Sequence, residues 1–320
     1  MAYAEDEESS TLTWLVFLLI ACISVYAGCY FASLGSGGNF VKIYVYCVPV
    51  VFLIAGVFHF LVGRRVGIGK AIVSFAVLLL LMNVAAGMIY FTQQREQHKM
   101  GQSLQKDLAS MRDFVNEGKP IDAPIDPTPS ASGEAGEVER FMKAYFNRVA
   151  AQRNEYLAAV EATGWNGILD PTRLKRDVDM SDSRRIMQAV KEIVQNYKLR
   201  THELLAAVLK DVDHMALSDA GKAQFRAGFE QGLQRGGIRA DAVWDLEMRI
   251  VSQIETAVEY LFARNHAWSV ENGQFLFQQQ SDLDEFNGQM AKVDGLVAQQ
   301  EALQKEGFDK AEQGLQRLGM

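Results

Sequence analysis

The chain divides into an apolar N-terminal part and a longer part in which apolar residues recur with helical spacing. Asp, Glu, Lys and Arg are absent between Glu8 and Lys42, between Lys42 and Arg64, and between Lys70 and Arg95. A bilayer core about 30 Å thick needs roughly 20 apolar helical residues to cross it. Each stretch reaches that length, so the pattern predicts three transmembrane helices. They cover about residues 12–32, 43–62 and 71–91.

These three spans form a predicted transmembrane anchor over residues 11–92, preceded by a short acidic tail, residues 1–10. The acidic tail and the length of the first apolar run argue against a cleavable signal peptide, which has a basic start and a shorter core. No Asp, Glu, Lys or Arg lies in the middle of a span, which favours an anchor over a transport pathway.

Small and aromatic residues mark positions of expected contact within the anchor. Small residues four positions apart let helix backbones approach closely, and Asn83 is expected to hydrogen-bond to a neighbouring helix. Trp and Tyr at the ends of spans are typical of the membrane interface. The predicted helix-packing residues are Gly28, Ala32, Asn83 and Gly87. The predicted interface residues are Trp14 and Tyr90.

The two short loops between the spans differ in positive charge. The first has only Lys42 at its edge, whereas the second contains Arg64, Arg65 and Lys70. Positive residues in short loops stay on the cytoplasmic side, so the N-terminus is predicted to be cytoplasmic and the C-terminal part external. In a bacterial inner membrane that part is periplasmic. Basic residues after the third span favour the opposite orientation, but long translocated segments follow the rule less closely.

After the anchor, the pattern predicts a helical stalk and then a linker. Leu104, Leu108, Met111 and Val115 form one apolar stripe along residues 93–117, as in an amphipathic helix. The linker, residues 118–138, is rich in Gly and Ser and has four of the six prolines of the chain. Such a composition predicts a flexible tether with no core of its own.

Residues 139–320 are predicted to form an all-α extramembrane domain that contains one β-hairpin. Helix starts are expected after Asp170, which precedes Pro171, and after Ser218, and Gly236-Gly237 is expected to end a helix. The hairpin, at about residues 268–278, is predicted from Asn272-Gly273, a dipeptide that suits a type I′ turn. Its apolar residues Trp268, Phe275 and Phe277 are expected to pack on the helices.

Charge and cysteine content exclude some classes of function for this domain. The chain has a formal net charge of −7, and no block of one sign suggests a nucleic-acid surface. The three cysteines all lie in the predicted spans. The domain therefore has no disulfide and no thiolate-ligated zinc site, and no cofactor is predicted.

Two polar clusters are candidates for metal binding. His202, Asp211 and His214 occur along one predicted helix, where imidazole and carboxylate groups suit a divalent metal, although the solvated side of an amphipathic helix has the same composition. Asp177 and Asp179 resemble part of a calcium loop but lack its glycine and final glutamate. In this segment, the residues expected to cap the following helix instead are Asp179, Ser181, Asp182 and Ser183.

Signatures of catalysis are absent: the sequence has no phosphate loop, dinucleotide fingerprint, nucleophile elbow or zinc-protease motif. The chain is therefore predicted to be a non-enzymatic membrane protein whose helical domain binds other membrane or envelope proteins, or copies of itself. One alternative is a membrane-anchored sensor of a ligand or metal, which requires a pocket lined by His202, Asp211 or the tryptophans and a rigid connection through the stalk. Another is an enzyme of unrecognised type.

Overall fold

The computed structural model describes Tyr26, residues 68–116 and residues 118–318. Side chains are described for Tyr26, Met88, 91–116 and 118–316. This part of the chain is mostly helical, with one two-stranded hairpin. The helices are α1 (Ile68–Asn116), α2 (Gly133–Ala162), α3 (Pro171–Arg176), α4 (Ser181–Asp211), α5 (Asp219–Ala263) and α6 (Gln280–Leu318). The strands are β1 (Trp268–Glu271) and β2 (Gln274–Phe277), and 3-10 turns cover Trp165–Gly167 and Val212–His214.

Within the residues that the structure describes, no helix combines the length and the apolar character needed to cross a membrane. The predictions that lie outside the described residues are the first two spans (Tyr26 apart), Trp14, Gly28, Ala32, Arg64 and Arg65. The third predicted span lies in α1, where Lys70, Asn83, Gly87 and Tyr90 are described by their backbone alone.

The chain forms two compact units, Met1–His98 and Lys99–Met320. The sequence places the start of the extramembrane domain later, after the proline-rich segment 118–138. The difference arises because the last turns of α1 and the proline-rich segment pack on α2 as part of the second unit.

The main core of the second unit lies between α4, α5 and α6. Val190 and Val194 of α4 and Val258 and Leu261 of α5 are at most 1% exposed. Their spacing of three or four residues places them on one face of each helix, which is the pattern that burial of an amphipathic helix requires. Tyr156 of α2 joins the same core.

The capping residues predicted at the starts of helices α3 and α5 are confirmed. The Asp170 carboxylate accepts a hydrogen bond from the backbone N–H of Arg173 at 2.7 Å, and the Ser218 hydroxyl accepts from that of Gly221 at 3.2 Å. At the start of α4 the Asp179 carboxylate accepts from the backbone N–H of Ser181 at 3.1 Å, as expected, and Asp177, which is not among the expected caps, accepts from that of Ser183 at 2.8 Å.

The predicted β-hairpin is also confirmed. Asn272 and Gly273 have φ values of +51° and +77°, the left-handed conformation that a type I′ turn requires. Trp268 is 3% exposed, and its indole N–H donates to the carbonyl of Leu261 at 2.7 Å. The hairpin therefore packs on the helices, with aromatic contacts among Trp268, Phe275, Phe277 and Phe286.

One predicted helix end is wrong. Gly236 and Gly237 lie inside α5, which runs without a break from Asp219 to Ala263, and neither has a positive φ. Two glycines in a helix interior cost about 1 kcal/mol each. Packing on both sides of them offsets that cost, because Phe225 and Phe229 contact Phe141 of α2 while the second half of α5 lies in the main core.

Residues 118–132, here called the strap, form neither helix nor strand and are bound along α2. Ile121 and Ile125 are buried in a second apolar cluster with Leu104 of α1 and Phe146 of α2. The side chain of Asn154 bonds both backbone groups of Ile121, accepting from its N–H at 2.8 Å and donating to its carbonyl at 2.9 Å. Asn147 bonds both groups of Ile125 in the same way, each at 2.8 Å. The strap is thus held in place, unlike the flexible tether that composition predicts.

A buried charge cluster holds the C-terminal end of the strap. The Glu139 carboxylate, 0% exposed, accepts from the backbone N–H groups of Ser130 and Ala131 at 2.8 and 2.9 Å. Lys143 pairs with Glu139 at 3.0 Å and donates to the carbonyl of Thr128 at 2.8 Å. This network joins the strap to α2 through charge-assisted hydrogen bonds, which are stronger than neutral ones.

Candidate functional site

A large open cleft lies in the second unit, bordered by both apolar clusters. Its volume is about 1160 Å³, and its walls come from the last turns of α1, from α2, α4, α5 and α6. Small-molecule sites are typically concave, mainly apolar and furnished with a few polar groups. The cleft is concave and partly apolar, although many of its lining side chains are polar or charged, and we take it as the candidate functional site.

The apolar wall of the cleft is formed by aliphatic side chains on facing helices. None of them is exposed, and each helix contributes residues from the edge of its apolar face. They are Val149, Leu157, Leu204, Leu205, Leu233 and Val243. Because these side chains border open space, an apolar ligand would remove their remaining exposed area from water, at about 25 cal/mol per Å².

The first polar group in the cleft centres on Glu247 of α5. Its carboxylate accepts a hydrogen bond from the Tyr156 hydroxyl at 2.5 Å and another from the Gln300 amide. Burial and the neighbouring Glu247 carboxylate raise the pKa of Tyr156 far above its ordinary value. Tyr156 is therefore a neutral hydrogen-bond donor. Through the Glu247 carboxylate, helices α2, α5 and α6 are joined to one another.

The second polar group centres on the hydroxyl of Thr201. This hydroxyl accepts from the Gln152 amide at 2.8 Å and from the indole N–H of Trp244 at 3.1 Å, and it donates to the carbonyl of Tyr197 at 2.8 Å. The indole of Trp244 stands edge-on to the ring of Tyr156, with centroids 5.1 Å apart. All hydrogen-bonding capacity of the Thr201 hydroxyl is thus used within the protein.

Arg153 differs from both groups because a buried donor of its guanidinium lacks a partner. Its Nε–H is buried and makes no hydrogen bond to any described residue. Burial lowers the pKa of Arg153, and the nearby Glu247 carboxylate acts against this change. Arginine stays protonated in proteins, so the cleft has a partly buried positive group with an unused donor at its buried Nε.

The candidate metal ligands do not come together. His202 Nε2 lies 2.8 Å from a carboxylate oxygen of Asp241, and Asp211 pairs with Arg148 at 2.5 Å, whereas His214 lies exposed in the 3-10 turn after α4. Across the described residues there is no group of three or more His, Cys, Asp and Glu side chains that suits a metal ion.

No known protein family, curated protein or solved structure matches this chain.

The residues that define the cleft and the strap are absent from the sequence-based predictions. Arg153 and Glu247 lie on helices rich in charged residues, so their pattern resembles that of a solvated face. Of the cleft residues, the sequence names Val115 in an apolar stripe, Gly236 at an expected helix end, and Trp244 only as one of the tryptophans that the sensor alternative requires in a pocket. The sequence does contain one signal of the strap's binding site, the pair Glu139 and Lys143, which are four residues apart. Such pairs usually lie exposed on helix surfaces, so the spacing alone does not indicate a buried pair.

Proposed function

We propose that residues 99–318 form a ligand-binding sensor domain, and that the N-terminal spans anchor it in a bacterial inner membrane. The observation that carries the proposal is the cleft beside the unpartnered donor of Arg153. The sensor alternative requires a large pocket and a rigid connection to the stalk. The cleft meets the first requirement, with Trp244 in its wall in place of His202 and Asp211.

The strap supports the second requirement. It ties the last turns of α1 to α2, and α1 residues Arg112, Asp113, Val115 and Asn116 line the cleft. A ligand in the cleft therefore contacts α1 directly. Since α1 begins at Ile68 and includes the third predicted span, we propose that α1 transmits ligand binding toward the anchor.

The output of the sensor is proposed to be binding to other membrane or envelope proteins, or to a second copy of the chain. This retains the interaction function predicted from the sequence and assigns no reaction to the cleft. The lipid bilayer is the other expected partner, and nucleic acid is not one.

Ligand binding is tested with the full chain in lipid nanodiscs and three probes that share one alkyl chain: octanoate, octanol and octylammonium. We expect at least one probe to slow hydrogen exchange in the cleft-lining parts of α2 and α5 and in residues 99–116. Leu233→Trp, which narrows the cleft at its apolar wall, is the matched variant and should weaken the protection. Unchanged exchange with all three probes contradicts the proposal.

The proposed orientation is tested by a reporter that is active only in the periplasm, fused after Met320. We expect an active reporter, because the basic second loop favours a cytoplasmic position and leaves the C-terminal part outside. A well-expressed but inactive fusion would reverse the topology.

A further inference from the structure

We infer that the cleft selects amphipathic carboxylates, with the carboxylate bound by Arg153 and the apolar part against the aliphatic wall. This inference rests on the proposed sensor function and names the chemical class of its ligand. It depends on the donors and acceptors of the cleft and on the composition of the wall.

Arg153 has a buried donor that bonds to no described residue. A buried donor without a partner destabilises the protein unless something pairs with it. A guanidinium presents parallel N–H donors that match the two oxygens of a carboxylate, and such pairs are among the stronger hydrogen bonds in proteins. A ligand carboxylate therefore satisfies Arg153 more fully than a hydroxyl does.

The polar groups next to Arg153 already have hydrogen-bond partners. The two oxygens of Glu247 each accept a hydrogen bond, one from Tyr156 and one from Gln300. The Thr201 hydroxyl is saturated by its three partners. Beside Glu247 and Thr201, Arg153 is thus the group with an unused donor, while the cations Arg112 and Lys305 line other parts of the cleft.

The apolar wall of the cleft adjoins Arg153. Val149 and Leu157 lie on α2 one turn to either side of Arg153, and Leu204, Leu205 and Val243 face them from α4 and α5. A ligand whose head pairs with Arg153 therefore has aliphatic side chains around the rest of its length. A small hydrophilic anion would leave this wall unused.

Affinity is measured on the full chain in nanodiscs, by titration of the cleft protection in hydrogen exchange with octanoate, octanol and octylammonium. We expect octanoate to bind at least about tenfold more tightly than octanol, the ratio that one charge-assisted hydrogen bond gives. Arg153→Met should remove this preference, and Arg153→Lys, which keeps the charge without the planar fork, should retain part of it.

Glu247→Gln provides an independent test. The amide oxygen still accepts from one neighbour, whereas the negative charge beside Arg153 is gone, so octanoate affinity should rise while octanol affinity stays unchanged. Equal binding of octanol and octanoate overturns the carboxylate inference but leaves the ligand-binding function standing. Failure of all three probes overturns both. An Arg153→Met variant that folds and keeps the carboxylate preference overturns the role of Arg153.

Discussion

Replacement of Glu139 by glutamine is expected to lower the free energy of unfolding by about 3 kcal/mol or more. Removing one partner of a buried ion pair leaves the other charge uncompensated, which typically costs about 3–5 kcal/mol. Here the Lys143 ammonium would remain buried, with Asp107 3.8 Å away as its nearest remaining carboxylate. Urea unfolding of the full chain, followed by tryptophan fluorescence, measures the change, since Trp165, Trp244 and Trp268 all lie in the second unit.

Two further variants separate this effect from a general cost of charge removal. Glu161→Gln alters an exposed glutamate of the same helix and should change the free energy by less than about 0.5 kcal/mol. The double variant Glu139→Leu/Lys143→Met removes the uncompensated charge of Lys143 but leaves the N–H groups of Ser130 and Ala131 without their acceptor, so it should recover only part of the lost stability. If Glu139→Gln unfolds at the same urea concentration as Glu161→Gln, the buried cluster does not stabilise the second unit.

The loss should depend on pH with a defined sign. Burial alone raises the pKa of the Glu139 carboxyl, but the N–H groups of Ser130 and Ala131 together with Lys143 outweigh it and hold the pKa below the ordinary value of 4.5. A lowered pKa contributes stability above the unfolded value, and this stability is lost as the pH falls through the folded value. The difference in the free energy of unfolding between the natural chain and Glu139→Gln should therefore be largest at neutral pH and decrease below about pH 4.

Asp107 titrates in the same cluster with the opposite sign. Burial raises the pKa of its carboxyl, while the Lys143 ammonium acts against that change. Ionisation of Asp107 consequently becomes costly in the folded state as the pH rises through its ordinary value of 3.8. The free energy of unfolding of an Asp107→Asn variant, measured against pH beside that of Glu139→Gln, shows which part of the pH dependence comes from Asp107 and which from Glu139.

The double variant Asn147→Ala/Asn154→Ala should release the strap while the rest of the second unit stays folded. It removes four hydrogen bonds to the backbone of Ile121 and Ile125. At about 0.5–1.5 kcal/mol for each bond, the expected loss is about 2–6 kcal/mol, confined to the strap. Hydrogen exchange measures it directly, because both isoleucine N–H groups lose their acceptors.

Asn196→Ala is the matched control, since Asn196 is an exposed asparagine in the middle of α4. It should leave strap exchange unchanged and stabilise α4 by a few tenths of a kcal/mol, because alanine favours helix. Slow exchange at Ile121 and Ile125 in the double variant would mean that burial of their side chains suffices to hold the strap.

The features that the sequence predicts well are those set by neighbouring residues. Asn272-Gly273 specifies its turn through its own backbone conformations, and Asp170 and Ser218 bond to N–H groups three residues away. Interactions of this kind need no knowledge of the remainder of the chain, which is why the hairpin and the helix starts are confirmed.

The strap and the cleft depend instead on residues that are distant in sequence. Asn154 lies 33 positions from Ile121, and nothing in its immediate surroundings distinguishes it from a solvated asparagine. The cleft exists because five helices leave a gap between them, and no single helix encodes that gap. Arg153 acquires its importance only from the absence of a partner, which a sequence does not reveal.

The strap is recognised through its main chain, and this determines which substitutions it tolerates. Asn147 and Asn154 bond to backbone atoms, so the exposed residues 122–123 between the two contacts are free to vary. Proline is compatible with positions 120 and 124, where it restricts the unbound chain, but at 121 or 125 it would remove an essential N–H. In related chains the exposed residues of the strap should therefore vary in sequence while the strap stays bound. Its sequence variability would then resemble that of a linker, although it is a fixed structural element.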